Sequence, residues 1–363
     1  MGWPMCLVPA KCRLNKRFPT VKAAVRGVTR LEFLLVLSIV FLNVAIFLPF
    51  VVRSRDAARR AECKNNLKQV GLALANYHDN FAAFPSGFEV NPNGNYLGWG
   101  WNLKILPYSD AADVYHRIEP HFANGIHGLK DVPNWNRQLS SLCCPSDTDV
   151  EKVPHAMVVT GKVIDGVVAA GTQNWQSRLP RSSYVGNAGY LQLEAGGIQY
   201  NSAATPTSIV PLMNAGSLGN VGVVQSPRYR YCDQKSFRGF FGQNSHVRYR
   251  DVTDGTSNTL SVGERYSPAD ATASATGYGT WIGVPDCTNA QGLAMSLGDA
   301  SLRINIGMPF REQTTGFGSL HEGGANFALG DGSVRCLSQK IETVLFRYLS
   351  VINDGSYQSP QGK

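Results

Sequence analysis

Gly27-Val28-Thr29-Arg30-Leu31-Glu32, followed by FLLVLSIVFLNVAIFLPFVV from Phe33 to Val52, decides how this chain is read. The twenty residues from Phe33 to Val52 carry no charge, and only Ser38, Asn43 and Pro49 depart from an apolar run. About 20 apolar residues in a helix span a bilayer core of roughly 30 Å. Glu32 sits at the edge of that run. A carboxylate there is costly without a partner, which makes it a functional candidate.

The helical pattern continues past Val52. From Arg53 to His78 there is no proline, and Gly71 is the one glycine. Cys63, Leu67, Val70, Leu74 and Tyr77 recur at helical spacing and form one stripe, suited to packing on a globular body. Joined to the apolar run, this predicts a single helix over about 30–79, roughly 70 Å long. Its first half, 28–52, suits lipid and its second, 53–80, a stalk. Pro49 removes one backbone hydrogen bond and is a point of possible kinking.

Outward from the helix, composition bounds the remainder. The chain has 363 residues, 43% apolar and 17% charged, with 37 glycines, which points to many turns and short strands. Residues 1–27 hold Lys11, Arg13, Lys16, Arg17, Lys22 and Arg26 and no acid. They account for six of the net +8, so the body is nearly neutral and is not read as a nucleic-acid binder. This segment reads as a removable or disordered leader. Charge does not orient the span, because residues 13–32 and 53–68 each carry six Lys/Arg.

Beyond Phe81, residues 81–363 read as a body of short strands and turns. Asp110 to Glu119 suggests a short helix. Val163-Ile164 and Val167-Val168 flank Asp165-Gly166, a hairpin signature, and Asp254-Gly255 marks a second turn. Phe327 and Leu329 alternate on one strand and Val334 and Cys336 on the next, around Gly330-Asp331-Gly332. Ser338 is read as capping a closing helix with Ile341, Val344, Leu345, Tyr348 and Leu349 on one face.

Cys6 and Cys12 lie in the leader; Cys63, Cys143, Cys144, Cys232, Cys287 and Cys336 follow. There is no CxxC pair, so spacing supports no structural zinc site. Adjacent Cys143 and Cys144 are poorly placed to bridge each other, so each would need a distant partner. Two readings of Cys63 stay open: a buried apolar side chain on the stripe, or a disulfide to Cys144 clamping helix to body.

Gly27, then a short polar stretch, Glu32 and a long apolar run resemble the type IV prepilin processing site. In that family Gly ends the leader, Glu is the fifth mature residue and proline is common at the twenty-second. Gly27, Glu32 and Pro49 stand at those places. The resemblance implies cleavage by a prepilin peptidase after Gly27, methylation of Val28, and pairing of Glu32 with the new amine of a neighbouring subunit. Val28 replaces the usual Phe, and Arg30 stands where an apolar residue is usual and within reach of Glu32.

A second resemblance covers about residues 27–350. Its blocks are Cys63-Lys64-Asn65-Asn66-Leu67-Lys68-Gln69 with Asn76-Tyr77-His78 and Phe84-Pro85; Trp99-x-Trp101 with Leu106-Pro107-Tyr108; and Cys144-Pro145-Ser146-Asp147. Then follow Ser183 to Asn187, Asp254-Gly255 to Glu264, and His321, nine residues on, Asp331-Gly332. In this order they look like the pseudopilin-like proteins with a C-terminal H-x9-D-G signature, here 321–332. The family has no defined biochemical role and has also been grouped with solute-binding proteins.

The expected fold is α+β: a long N-terminal helix, half in the membrane, packed on an antiparallel sheet with loop-rich insertions, as in pilins. The expected function is a non-enzymatic, single-pass subunit of the cytoplasmic membrane, its body extracytoplasmic. Its partners would be the prepilin peptidase and other pilin-like subunits of a type II secretion-like or pilus-like machine. Cys144, Pro145, Asp147, Asp254, Gly255, His321, Asp331 and Gly332 are assigned structural roles, and no residue a catalytic one. Ser319 and Ser333 lack the strained setting a Ser-His-Asp nucleophile needs. No cofactor or metal is expected. Calcium on the oxygens of 254–258 stays open, against a plain turn. The rival function is an anchored solute- or glycan-binding module, with Trp99, Trp101, Trp135 and Trp175 stacking on ligand.

Overall fold

The computed structural model describes residues 29–90, 96–126, 129, 132–147, 155–159, 162–164, 167–169, 175–190, 237–266, 279–284, 293, 295–305 and 316–353. The leader, with Gly27 and Val28, and the turn residues Asp165 and Gly166 lie outside them, as do Cys232 and Cys287. The chain divides into two compact units between Ser54 and Arg55. The fold is α+β, as the sequence predicts: a long N-terminal helix and a separate mixed β-sheet.

Helix α1 spans Arg30–Phe81, 52 residues, and is helical across Pro49. In the first unit its start is capped. Thr29 N–H and Oγ donate to Glu32 Oε2 at 2.9 and 3.1 Å, and Glu32 N–H donates to Thr29 Oγ at 3.3 Å. Thr-x-x-Glu is a capping box, which satisfies amides that the first turn would otherwise orphan. The large apolar side chains described from Leu31 to Val51 are all exposed.

The second unit begins at Arg55. Cys63, Leu67, Val70, Ala73 and Leu74 are buried, and Tyr77 packs against the same core, so the predicted stripe is the covered face. Ala82, in the left-handed region at φ 56°, ends the helix.

Strands β1 (Phe88–Val90) and β2 (Tyr96–Gly100) pair antiparallel. Helix α2 (Trp101–Ile105) and helix α3 (Ala112–Ile118) follow, the latter inside the predicted 110–119. Strands β3 (His155–Val159) and β6 (Trp175–Leu179) pair, and β4 (Lys162–Ile164) pairs with β5 (Val167–Ala169) in the predicted hairpin.

The central sheet holds β7 (Tyr184–Asn187), β8 (Leu260–Glu264), β9 (Leu297–Gly298), β10 (Gly324–Leu329) and β11 (Val334–Ser338) in the order β11-β10-β8-β7-β9. All pairings are antiparallel except β7 with β9.

Alternation sorts the sheet's side chains onto two faces. Tyr184, Val262, Leu297 and Ala328 join the core that holds the α1 stripe. Val185, Leu260, Ala325, Phe327 and Leu329 join a second core. Leu260 and Val262 are two apart, yet fall on opposite faces. The register explains this: Leu329 faces Leu260 and Ala328 faces Val262, so Ser261 is an extra residue in β8. Its hydroxyl bonds the carbonyls of Ala328 and Leu329, at 3.1 and 3.0 Å. A bulge of this kind shifts which side of the sheet each side chain meets.

Helix α4 (Thr343–Ser350) closes the second core, and here the sequence reading is corrected twice. Its N-cap is Glu342, while Ser338 ends β11 and accepts from the Lys340 amide at 3.1 Å. Its buried face is set by Phe346 and Ser350; of the predicted residues Ile341 and Leu349 pack against the same core, while Val344 and Tyr348 are exposed. Phe346 rests edge-on against Phe317 and Phe327, centroids 6.0 and 5.7 Å apart. An aromatic with two such partners outweighs the periodicity of an eight-residue helix.

Candidate functional site

The two ends of the H-x9-D-G stretch both meet α1. At the far end, Gly330 to Ser333 turn β10 into β11. Asp331 Oδ1 accepts the Ser333 amide at 2.9 Å, and Gly332 takes φ +79°, which favours glycine. A Cβ placed on Gly71 would stand 3.0 Å from the Gly332 Cα, so helix and turn touch through backbone at two glycines. Burial pushes the Asp331 carboxyl up, but hydrogen bonds from Ser333 prevail and hold it below its ordinary value.

The neighbouring Asp254-Gly255 turn supports this hairpin. Gly255 takes φ +92°, and the Asn258 amide group donates to the Asp254 carbonyl at 3.2 Å. The Thr256 and Thr259 carbonyls accept the amides of Asp331 and Gly330. Within the 254–258 run, the Thr256 carbonyl thus helps to join two turns.

At the near end, His321 is buried against a disulfide. Cys63 of α1 bonds Cys144 across a separation of 81 residues, so the clamp reading of Cys63 is the observed one. Cys143, expected to need a distant partner of its own, lies with its sulfur 3.2 Å from the Leu139 carbonyl. Closing a loop of that length removes about 4–5 kcal/mol of chain entropy from the unfolded state.

His321 Nε2 lies 3.4 Å from Cys144 Sγ and 3.5 Å from Glu264 Oε1. Its Nδ1 is 3.4 Å from Ser146 Oγ, and its own amide donates to Ser319 Oγ at 3.2 Å. Glu264 is held from the other side: Asn326 donates its backbone amide to Oε2 at 2.7 Å and its side-chain amide to Oε1 at 2.9 Å. Cys63, Cys144, Glu264 and His321 are all buried, and their ligand-type atoms lie within 4.8 Å of one another.

The other sequence blocks build the walls. Asp147 bonds back through its amide to the Cys144 carbonyl at 2.8 Å, across Pro145, and accepts from Ser183 Oγ at 3.1 Å. Tyr184 donates its hydroxyl to the Cys63 carbonyl at 3.3 Å, and burial raises its pKa well above the usual phenol value. Asn187 donates to the carbonyls of Leu260 and Ser350, both at 2.7 Å, tying the sheet to α4. Gly263 leaves room for the Phe317 and Phe327 rings. A small cavity beside the disulfide is lined by Cys144, Asp147, Ser183, Glu264, Arg265 and Tyr266 among others. Burial lowers the Arg265 pKa to about 9, with Asp299 opposing.

Sequence reasoning named His321, Cys144, Asp147 and Asp331-Gly332. It cited Glu264 only as the end of a block and did not connect it to His321. Asn326 went unnoticed. Three tryptophans proposed for ligand stacking are buried: Trp99 and Trp101 are fully enclosed, donating to the carbonyls of Phe122 and Ser296, and Trp135 is 6% exposed. The Trp175 side chain lies outside the described residues.

Among the described residues one helix, α1, is long and apolar enough to span a membrane. Comparison with curated proteins and with solved structures returned no significant match. The match to a family is extensive, covering residues 53–343: the second half of α1 and nearly all of the body. On that coverage the chain belongs to the family described as "Protein of unknown function (DUF1559)", a domain presented here behind an N-terminal helix fit to anchor it in a membrane.

Proposed function

We propose that this chain is a pilin-like, non-enzymatic structural subunit, anchored once in the cytoplasmic membrane with its body outside the cytoplasm. A prepilin peptidase would cut after Gly27, and subunits would pack side by side through the apolar half of α1. One observation carries the reading. Every large apolar side chain described from Leu31 to Val51 is exposed, while the stripe that continues on the same helix is buried. Nothing within the described residues covers the first half, so lipid and neighbouring helices are its natural environment. Glu32 supports this, since a carboxylate at that edge gains from a neighbour's cationic amine. Its Oε2 already accepts from Thr29, within the first turn, and the side chain remains exposed for such a partner.

N-terminal sequencing of membrane-extracted protein tests the processing. The expected start is N-methylated Val28; a start at Met1 leaves only an uncleaved anchor. Crosslinking through cysteines introduced singly between Phe33 and Val52 tests assembly. Self-crosslinks, or crosslinks to other pilin-like chains, are expected there. Their absence at every position would remove the subunit reading.

A further inference from the structure

The buried cluster around His321 has the donor set of a metal centre. Two sulfurs, an imidazole nitrogen and a carboxylate oxygen converge from α1, the loop at Cys144, β8 and the approach to β10. Zinc takes sulfur at about 2.3 Å and nitrogen or oxygen at about 2.0–2.2 Å in tetrahedral sites. Ligand atoms in such a site stand about 3.3–3.8 Å apart, the sulfur–sulfur edge being the longest. His321 Nε2 is 3.4 Å from Cys144 Sγ and 3.5 Å from Glu264 Oε1, so these edges of the tetrahedron are already in place. The outer partners are those a metal site needs: Ser146 Oγ at the other imidazole nitrogen, and Asn326 holding both carboxylate oxygens of Glu264. Among the described residues the Asn326 side-chain oxygen is buried with no hydrogen-bond partner.

We propose that Cys63, Cys144, Glu264 and His321 form a redox-gated site for a zinc-class divalent cation. In the oxidised state the sulfurs are joined to each other and bind no metal. A small dithiol donates two electrons and two protons, breaks the S–S bond and becomes a disulfide itself. The cation then displaces both thiol protons to solvent and takes two thiolates, His321 Nε2 and Glu264. Thiolate ligands select zinc-class ions over calcium or magnesium, which favour oxygen. With four protein ligands the site is closed, hence structural: bond or ion, the helix stays clamped to the body.

The test uses the full chain in detergent micelles, with Zn²⁺ alone as the probe. Oxidised and phosphine-reduced samples are incubated with Zn²⁺ without oxygen, desalted and analysed for metal. One zinc per reduced chain and none per oxidised chain is expected. Co²⁺ should give thiolate charge-transfer absorption only after reduction. His321→Ala and Glu264→Gln should each weaken zinc binding at least about tenfold, while Cys336→Ser, at an exposed cysteine, should leave it unchanged. A reduced chain that holds no zinc overturns the proposal. So does a Cys63→Ser/Cys144→Ser chain that holds it as well as the parent. Should reduction alone unfold the body, Zn²⁺ added beforehand must preserve its near-ultraviolet dichroism; unfolding despite zinc also overturns the proposal.

Discussion

The two halves of α1 are one helix by backbone and two different objects by surface. From Leu31 to Val51 its large apolar side chains face outward on every side. From Cys63 to Leu74 a narrow stripe is buried, with Asn65, Lys68, Gln69 and Leu72 exposed beside it. What differs is the neighbour. The second half meets a disulfide at Cys63, a tyrosine hydroxyl at the Cys63 carbonyl and a backbone turn at Gly71. A helix apolar all round needs lipid or other helices, and a helix with one stripe needs a body. The boundary between the compact units at Ser54 and the start of the family match at residue 53 nearly coincide, so the part shared with the family is the part with the body.

Substitutions separate the halves. The largest loss should come from Cys63→Ala, about 4–5 kcal/mol of unfolding free energy from the released loop. Denaturant unfolding of the full chain in micelles would measure it, and an unchanged midpoint would mean that the disulfide does not clamp the fold. Leu67→Ala should cost about 2–5 kcal/mol, because Leu67 is fully buried. Leu37→Ala, on the exposed half, should leave the body's unfolding within about 0.5 kcal/mol. Equal effects from these two leucines would erase the distinction between the halves.

Gly71→Ala should cost about 1–3 kcal/mol by overpacking, since its Cβ would press on Gly332 backbone. Smallest is the contribution of Asp331. Folding lowers its pKa, so its stabilisation is present above the ordinary carboxylate range and fades as pH falls through the depressed value. Asp331→Asn should flatten that part of the acid profile while changing neutral stability by less than about 1 kcal/mol; an unaltered acid limb would show that Asp331 gains nothing from the turn.

How far the sequence could be read depended on range. Cys63, Leu67, Val70 and Leu74 were legible because a helix brings residues three and four apart onto one face. The 330–332 turn was legible because glycine and aspartate announce backbone geometry. The face of α4 was read only in part: Ile341 and Leu349 do pack on the core, but Phe346 is chosen by aromatic rings on β10 and the 316–318 segment rather than by its own periodicity. The bulge at Ser261 left no local mark.

By itself the sequence determined the long helix, the change in its character near residue 53, the α+β class and the last hairpin. These follow from runs and periods that act over a few residues. Tertiary structure alone decided that Cys144 takes Cys63, that Glu264 and His321 stand beside that bond, and that Gly332 touches Gly71. The partners lie far apart in the chain, and only the folded sheet and the helix packed on it hold them within bonding distance.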